Sequence, residues 1–107
     1  MIPRTLLFAS GDATIALGIA RTSLNTAIDI ASTKTPGQFT NLLRDQSATQ
    51  RLIGEGEAIW HSAQAFLDES TSSIWRSASK GHAPPTNERI QLRLASTFAI
   101  RKAAEVV

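Results

Sequence analysis

The chain contains no cysteine and no tyrosine, and only two tryptophans, four phenylalanines and one methionine among its 107 residues. The missing cysteine excludes disulfides and thiolate metal sites. With neither Cys nor Tyr to titrate, the isoelectric point of about 9.7 does not reflect a large basic excess. Eleven Lys and Arg face nine Asp and Glu, for a formal charge of +2. The basic residues are scattered and never run beyond two in a row, so the clustered face that nucleic-acid binding needs is missing. No apolar stretch approaches the ~20 residues that span a bilayer. Near the start, Leu6-Leu7-Phe8-Ala9 imitates a signal peptide, but that patch falls short of the usual ~7–15 residues. These absences suggest a cytoplasmic protein with no membrane and no nucleic-acid partner.

What is present is helical periodicity. Apolar residues make up 42% of the chain, an ordinary globular share. In the first segment Ala13, Leu17, Ala20, Leu24, Ala27 with Ile28, and Ala31 recur at steps of three and four, which places them on one helical stripe. Ser10 or Asp12 is expected to cap this helix, and Pro36-Gly37 closes the segment. A second helix is expected from the Ser47–Gln50 capping box, with Asp45 as a rival cap. Its stripe runs through Leu52, Gly56, Ile59, Ala63, Phe66 with Leu67, Ser70, Ile74 and Ala78, widened by Ile53, Trp60 and Trp75. Gly81 supplies the left-handed residue that ends it. A third helix follows Pro84-Pro85, with Thr86 as the expected N-cap. Its broad face carries Ile90, Leu94, Phe98, Lys102 and Val106 alongside Ala95, Ala99 and Ala103. The expected helices are unequal, the middle one overhanging, which bundles normally avoid. Either a longer bundle or a second chain would supply the missing face.

The stretch Gly54-Glu55-Gly56 looks at first like a phosphate-cradling loop. Such a loop needs a preceding strand and a third glycine, and neither is present. Two glycines inside a helix cost roughly 2 kcal/mol of propensity. A close helix crossing is the reading that offsets this, with Gly54 or Gly56 facing a neighbour. Glu57 and His61, four apart, share a helix face and can pair. The di-metal motif of bundles is Glu-x-x-His in two copies; here the spacing is one longer and there is no second copy. Trp60 and Trp75 suit the edge of a core or an interface, where an indole N–H finds a partner. Asp68-Glu69 and the serines after it read as a solvated face. No serine has a His-Asp partnership visible in sequence.

Three stretches carry a resemblance: LGIARTSLNTAIDIASTK, then LLRDQSATQRLIGEGEAIWHSAQAFLDE, then NERIQLRLASTFAIRKAAEVV. In order and spacing they resemble the C-terminal helical domain of the acyl-CoA dehydrogenase superfamily, nearest to its flavin-dependent hydroxylase and monooxygenase branch. The resemblance implies an all-α, up-down helical bundle of three long helices at about 11–33, 46–80 and 86–107. These form most of an acyl-CoA-dehydrogenase-like C-terminal four-helix bundle. It also implies that residues 1–107 are a single bundle domain and a fragment of a longer flavoenzyme, lacking the fourth helix and two preceding domains. In that family the flavin, FAD or FMN, lies between a barrel and this bundle, and bundles pair as homo-oligomers that touch a neighbour's flavin.

In the dehydrogenases an Arg and a Phe-Gly before the second bundle helix contact the partner's flavin. Here that region reads KTPGQFTNLLRDQ, without Phe-Gly, which favours the monooxygenase branch. Lys34, Arg44 and Gln50 occupy comparable positions and are the expected cofactor-binding residues. No residue matches the dehydrogenases' catalytic base. The expectation is therefore the C-terminal bundle of a flavin-dependent oxidoreductase acting on a small organic substrate, without turnover as an isolated chain. The rivals are a stand-alone helical self-association or partner-binding module, and a metal-dependent enzyme built on Glu57 and His61.

Overall fold

The computed structural model describes residues 4–33 and 47–107. They form α1 (Arg4–Thr33), α2 (Ser47–Ser79) and α3 (Thr86–Val106), with no strand among the described residues. Arg21 pairs with Glu57 and Leu17 with Trp60, and Ser77 pairs with Glu88 and Ser70 with Gln91, so each helix runs antiparallel to the next. The fold is the expected all-α, up-down bundle.

The boundaries follow local chemistry. At the end of α2, Gly81 adopts φ +78°, the left-handed conformation a β-carbon disfavours. Its N–H donates to the carbonyl of Ala78 at 3.0 Å, and the His82 N–H reaches back to Ser77 at 3.2 Å. This paired arrangement satisfies carbonyls that the helix end would leave bare. Before α3, Pro85 rather than Thr86 is the N-cap, at φ −60° and ψ 155° with no side-chain cap bond. The Pro85 carbonyl accepts the first helical bond, from the Arg89 N–H at 3.1 Å. The proline ring fixes φ where the helix begins, and Thr86 becomes its first residue.

Helix α1 begins earlier than its sequence signals suggest, at Arg4 instead of 11, and spans 30 residues against the 33 of α2. Neither Ser10 nor Asp12 caps it. The Ser10 hydroxyl donates back to the Leu7 carbonyl at 3.1 Å, as a serine inside a helix does. The expected imbalance between α1 and α2 therefore disappears. Helix α2 starts at Ser47, so its cap position falls on residue 46, outside the described residues, as does Asp45.

The core is small and alanine-rich. Ala13, Leu17 and Ala20 of α1 meet Ala63, Leu67 and Ile74 of α2 and Leu92, Ala95, Ala99 and Ala103 of α3. Alanine lets the helices approach closely. Each buried Leu or Ile contributes about 2 kcal/mol. Helix α3 lies against both others, whereas α1 and α2 meet more sparingly. The expected face of α3 is rotated: Leu92 and Ser96 turn inward with the alanines, while Ile90 and Leu94 stand exposed. Leu52 and Trp75 of α2 are likewise exposed rather than part of the packed stripe. One helix face can point only one way, and the smallest side chains permit the closest packing, so the alanine face wins on α3.

Candidate functional site

The densest polar arrangement lies where α1 and α2 meet. The Arg21 guanidinium donates to both oxygens of Glu57, at 2.6 Å and 3.0 Å. It also donates from Nε to Asn25 Oδ1 at 3.1 Å. The same guanidinium lies 5.1 Å from the centre of the Trp60 ring. The Trp60 indole N–H donates to the Leu17 carbonyl at 2.8 Å, so the ring spans both helices. His61 Nε2 lies 3.1 Å from Glu57 Oε2, and the His61 ring stands edge-on to Trp60 at 5.0 Å. The Arg21 hydrogen bonds, opposed by partial burial and aided by the charges of Arg21 and His61, hold the Glu57 carboxyl below its ordinary range. The same bonds raise the Arg21 guanidinium further above its own.

This arrangement tests two sequence readings. Glu57 and His61 do pair. Their carboxylate is already committed to Arg21, and no group of three His, Cys, Asp or Glu suited to a metal occurs among the described residues. Arg21 was not singled out from sequence. Its partner lies 36 positions away, and no local spacing announces such a pair.

Gly56 is the glycine that faces a neighbour. A β-carbon there would come within 3.2 Å of Leu24 Cδ1, whereas one on Gly54 would meet nothing within 4 Å. The neighbour is a side chain, not the backbone expected of a close crossing. Beside it opens a cleft of about 280 Å³ floored by Leu24, Ile53, Ile59 and Val106, with Glu55 and Glu105 also on its walls.

Of the expected cofactor-binding residues, Lys34 and Arg44 lie outside the described residues, and Gln50 stands exposed on the first turn of α2. That turn contains no acidic residue. Ser47 and Arg51 line a shallow hollow beside it. Ser47, Gln50 and Arg51 give this end of α2 a hydroxyl, an amide and a guanidinium, donors of the kind an anion at a helix N-terminus meets.

A second surface is apolar. Ile19 of α1, Ile100 of α3 and Val107 just after it, all exposed, border a groove with Ala16, Ala103 and Ala104. Ile15, at 64% exposure, stands on α1 near it.

Residues 10–107 match the family described as acyl-CoA dehydrogenase, C-terminal domain. The chain belongs to that family. Among curated relatives, it is 36% identical over 92 residues to the indole-3-acetate monooxygenase of Pseudomonas putida. The matched part is 86% of this chain and 24% of that protein, so the chain spans about a quarter of the relative's length. Within an acyl-CoA dehydrogenase C-terminal domain, α1 to α3 are successive bundle helices, and the Arg21–Glu57 pair clasps the first two. No described helix is long and apolar enough to cross a membrane.

Proposed function

We propose that this chain is the C-terminal bundle of a flavin-dependent oxidoreductase of the monooxygenase kind, serving oligomerisation and one wall of the flavin and substrate site. The observation that carries the reading is the family match across residues 10–107. The relative named as a monooxygenase supports the branch, as does the missing Phe-Gly in the connection between the first two helices. The cofactor would be FAD or FMN, supplying the redox chemistry when bound in the complete enzyme. Gln50 and the N–H groups of α2's first turn, with Lys34 and Arg44, would hold its anionic part. The apolar groove between α1 and α3 supports a helical neighbour, whether a fourth helix or another subunit. The complete enzyme acts in the cytoplasm on a small organic substrate.

Two measurements on the 107-residue chain test this. Titration with FAD and FMN is expected to show no saturable micromolar binding, because the chain supplies only one wall. Light scattering behind size exclusion is expected to give a mass above 11.5 kDa. Tight flavin binding by the chain alone would overturn the one-wall reading. A monomer that also fails to bind an apolar-surface dye would overturn the interface.

A second reading, a helical self-association or partner-binding module without activity, is favoured only by the same apolar groove. Co-expression with flavin-binding domains separates the two: a holoenzyme supports the first, and failure to assemble supports the second.

A further inference from the structure

Two helical stripes stand exposed along the α1/α3 groove. On α1, Phe8, Asp12, Ile15 and Ile19 follow one another at steps of four, three and four, and all are exposed. On α3, Ile90, Arg93, Thr97, Ile100 and Ala104 follow at steps of three, four, three and four, and these too are exposed. Steps that alternate between three and four keep residues on one seam, the pattern by which two helices interlock. Ile19, Ile100 and Ala104 line the same groove, which sets Ile19 near the level of Ala104. Helices α1 and α3 run parallel, since each is antiparallel to α2. Counting back along both brings Ile15 level with Ile100, Asp12 with Thr97 and Phe8 with Arg93. The stripes carry opposite charge, Asp12 on α1 and Arg93 on α3. No ion pair within 4 Å joins these two to each other or to any other of the described residues.

We propose that this face takes a second copy of the chain across a two-fold axis running along the helices, so that α1 of each copy packs on α3 of the other. Such an axis makes the contact self-complementary and leaves every residue at its own level. Ile15 then meets the partner's Ile100, and Ile19 the partner's Ala104. Phe8 lies against the partner's Arg93, and Asp12, one turn along, reaches the same guanidinium. A two-fold axis across the helices instead sets α1 on α1 and α3 on α3. Asp12 and Arg93 then lie on separate seams, and neither meets its opposite charge. Charge complementarity therefore selects the first arrangement and fixes its register. The proposal rests on the reading of this face as a subunit contact, and adds which helices meet and in which direction.

The test is a charge exchange in the 107-residue chain. Asp12→Lys and Arg93→Glu should each weaken self-association about tenfold or more, because either variant alone sets two like-charge contacts in its dimer. Both positions are exposed, so the helical circular dichroism spectrum should not change. Mixing the two variants restores the contact: the introduced lysine meets the introduced glutamate on one side, and the native pair re-forms on the other. Native mass spectrometry of the mixture, with one variant isotope-labelled, should therefore show the mixed dimer well above its statistical share. A mixed dimer at only the statistical share, or single variants that associate as tightly as the wild type, would overturn the pairing and leave a subunit contact in place. A wild type that stays monomeric at about 100 μM would overturn the pairing and the contact together. None of these results bears on the flavin reading, which titration tests separately.

Discussion

Arg21 and Glu57 form a two-pronged ion pair across the sparsest helix interface of the bundle, with contacts of 2.6 Å and 3.0 Å. Their side chains are 25% and 32% exposed, so the pair is neither fully solvated nor sealed in the core. Trp60 lies beside the guanidinium and bonds the same helix one turn away, at Leu17. The two residues of α2 thus hold two successive turns of α1. Apolar contact is thin here, so polar geometry sets how α1 slides against α2.

A double-mutant cycle on Arg21→Ala and Glu57→Ala should therefore return a coupling of about 1 kcal/mol, the upper end for a pair that water partly screens. Each single variant should lower the midpoint of urea unfolding. A coupling near zero would show that the two-pronged geometry carries no energy and that α1 is held by its buried apolar side chains alone.

The same pair gives stability an acid limb. Glu57 has a lowered pKa in the folded chain, so the folded state favours the ionised carboxylate. Its contribution is complete well above the unfolded value of about 4.3 and is lost as pH falls through the folded value. Urea unfolding of the wild type should weaken between about pH 5 and the onset of acid unfolding. Glu57→Gln should be less stable at neutral pH and should show a shallower decline over that window. Parallel acid limbs in the two proteins would remove Glu57 from the explanation.

Trp60→Phe keeps an aromatic ring and removes the N–H that reaches the Leu17 carbonyl at 2.8 Å. The expected cost is about 1–2 kcal/mol, combining a lost hydrogen bond with some lost apolar area. Thermal unfolding followed by circular dichroism measures it. Because Trp75 is exposed, the blue-shifted part of the wild-type tryptophan emission should also disappear in this variant.

Ser96 is buried with a hydroxyl that finds no partner among the described residues. Replacing it with Ala removes an unsatisfied polar atom and matches the Ala95, Ala99 and Ala103 surface around it. The variant should be more stable by about 1 kcal/mol. A loss of stability would mean that the hydroxyl bonds in solution, through water or back to its own helix.

The legible parts of this fold are those with local chemistry. Pro84-Pro85 and Gly81 fix the turn between α2 and α3 because each imposes a backbone angle by itself. The stripe from Ala13 to Ala31 is visible because three- and four-residue spacing survives without knowledge of the neighbour. The start of α1 is not, since Ser10-Gly11-Asp12 offers a plausible cap that the apolar residues before it override. Ile90 and Leu94 mislead for a related reason: hydrophobicity marks them as core, while close packing prefers the alanines a third of a turn away. Glu57 and His61 are visible as a pair through their spacing, but Arg21 enters only through tertiary structure. Two of the three expected cofactor contacts, Lys34 and Arg44, lie in the connection outside the described residues, where periodicity offers no guide.

The glycines of α2 separate propensity from packing within one turn. Gly54 faces open space, so Gly54→Ala should add the helix propensity the glycine lacks, about 1 kcal/mol, with no clash to offset it. Gly56 sits on Leu24, where a β-carbon already comes within 3.2 Å of Cδ1. Leu24 is itself 5% exposed and has little room to withdraw. A leucine at 56 would drive further carbons into that contact and force α1 away from α2, straining the Arg21–Glu57 clasp one residue along. Gly56→Leu should therefore destabilise by about 1–3 kcal/mol despite its better propensity. Denaturant midpoints for the two variants check this, and the opposite signs matter more than the sizes. If both substitutions stabilised, α1 would have to shift freely, and the clasp could not be what sets its position.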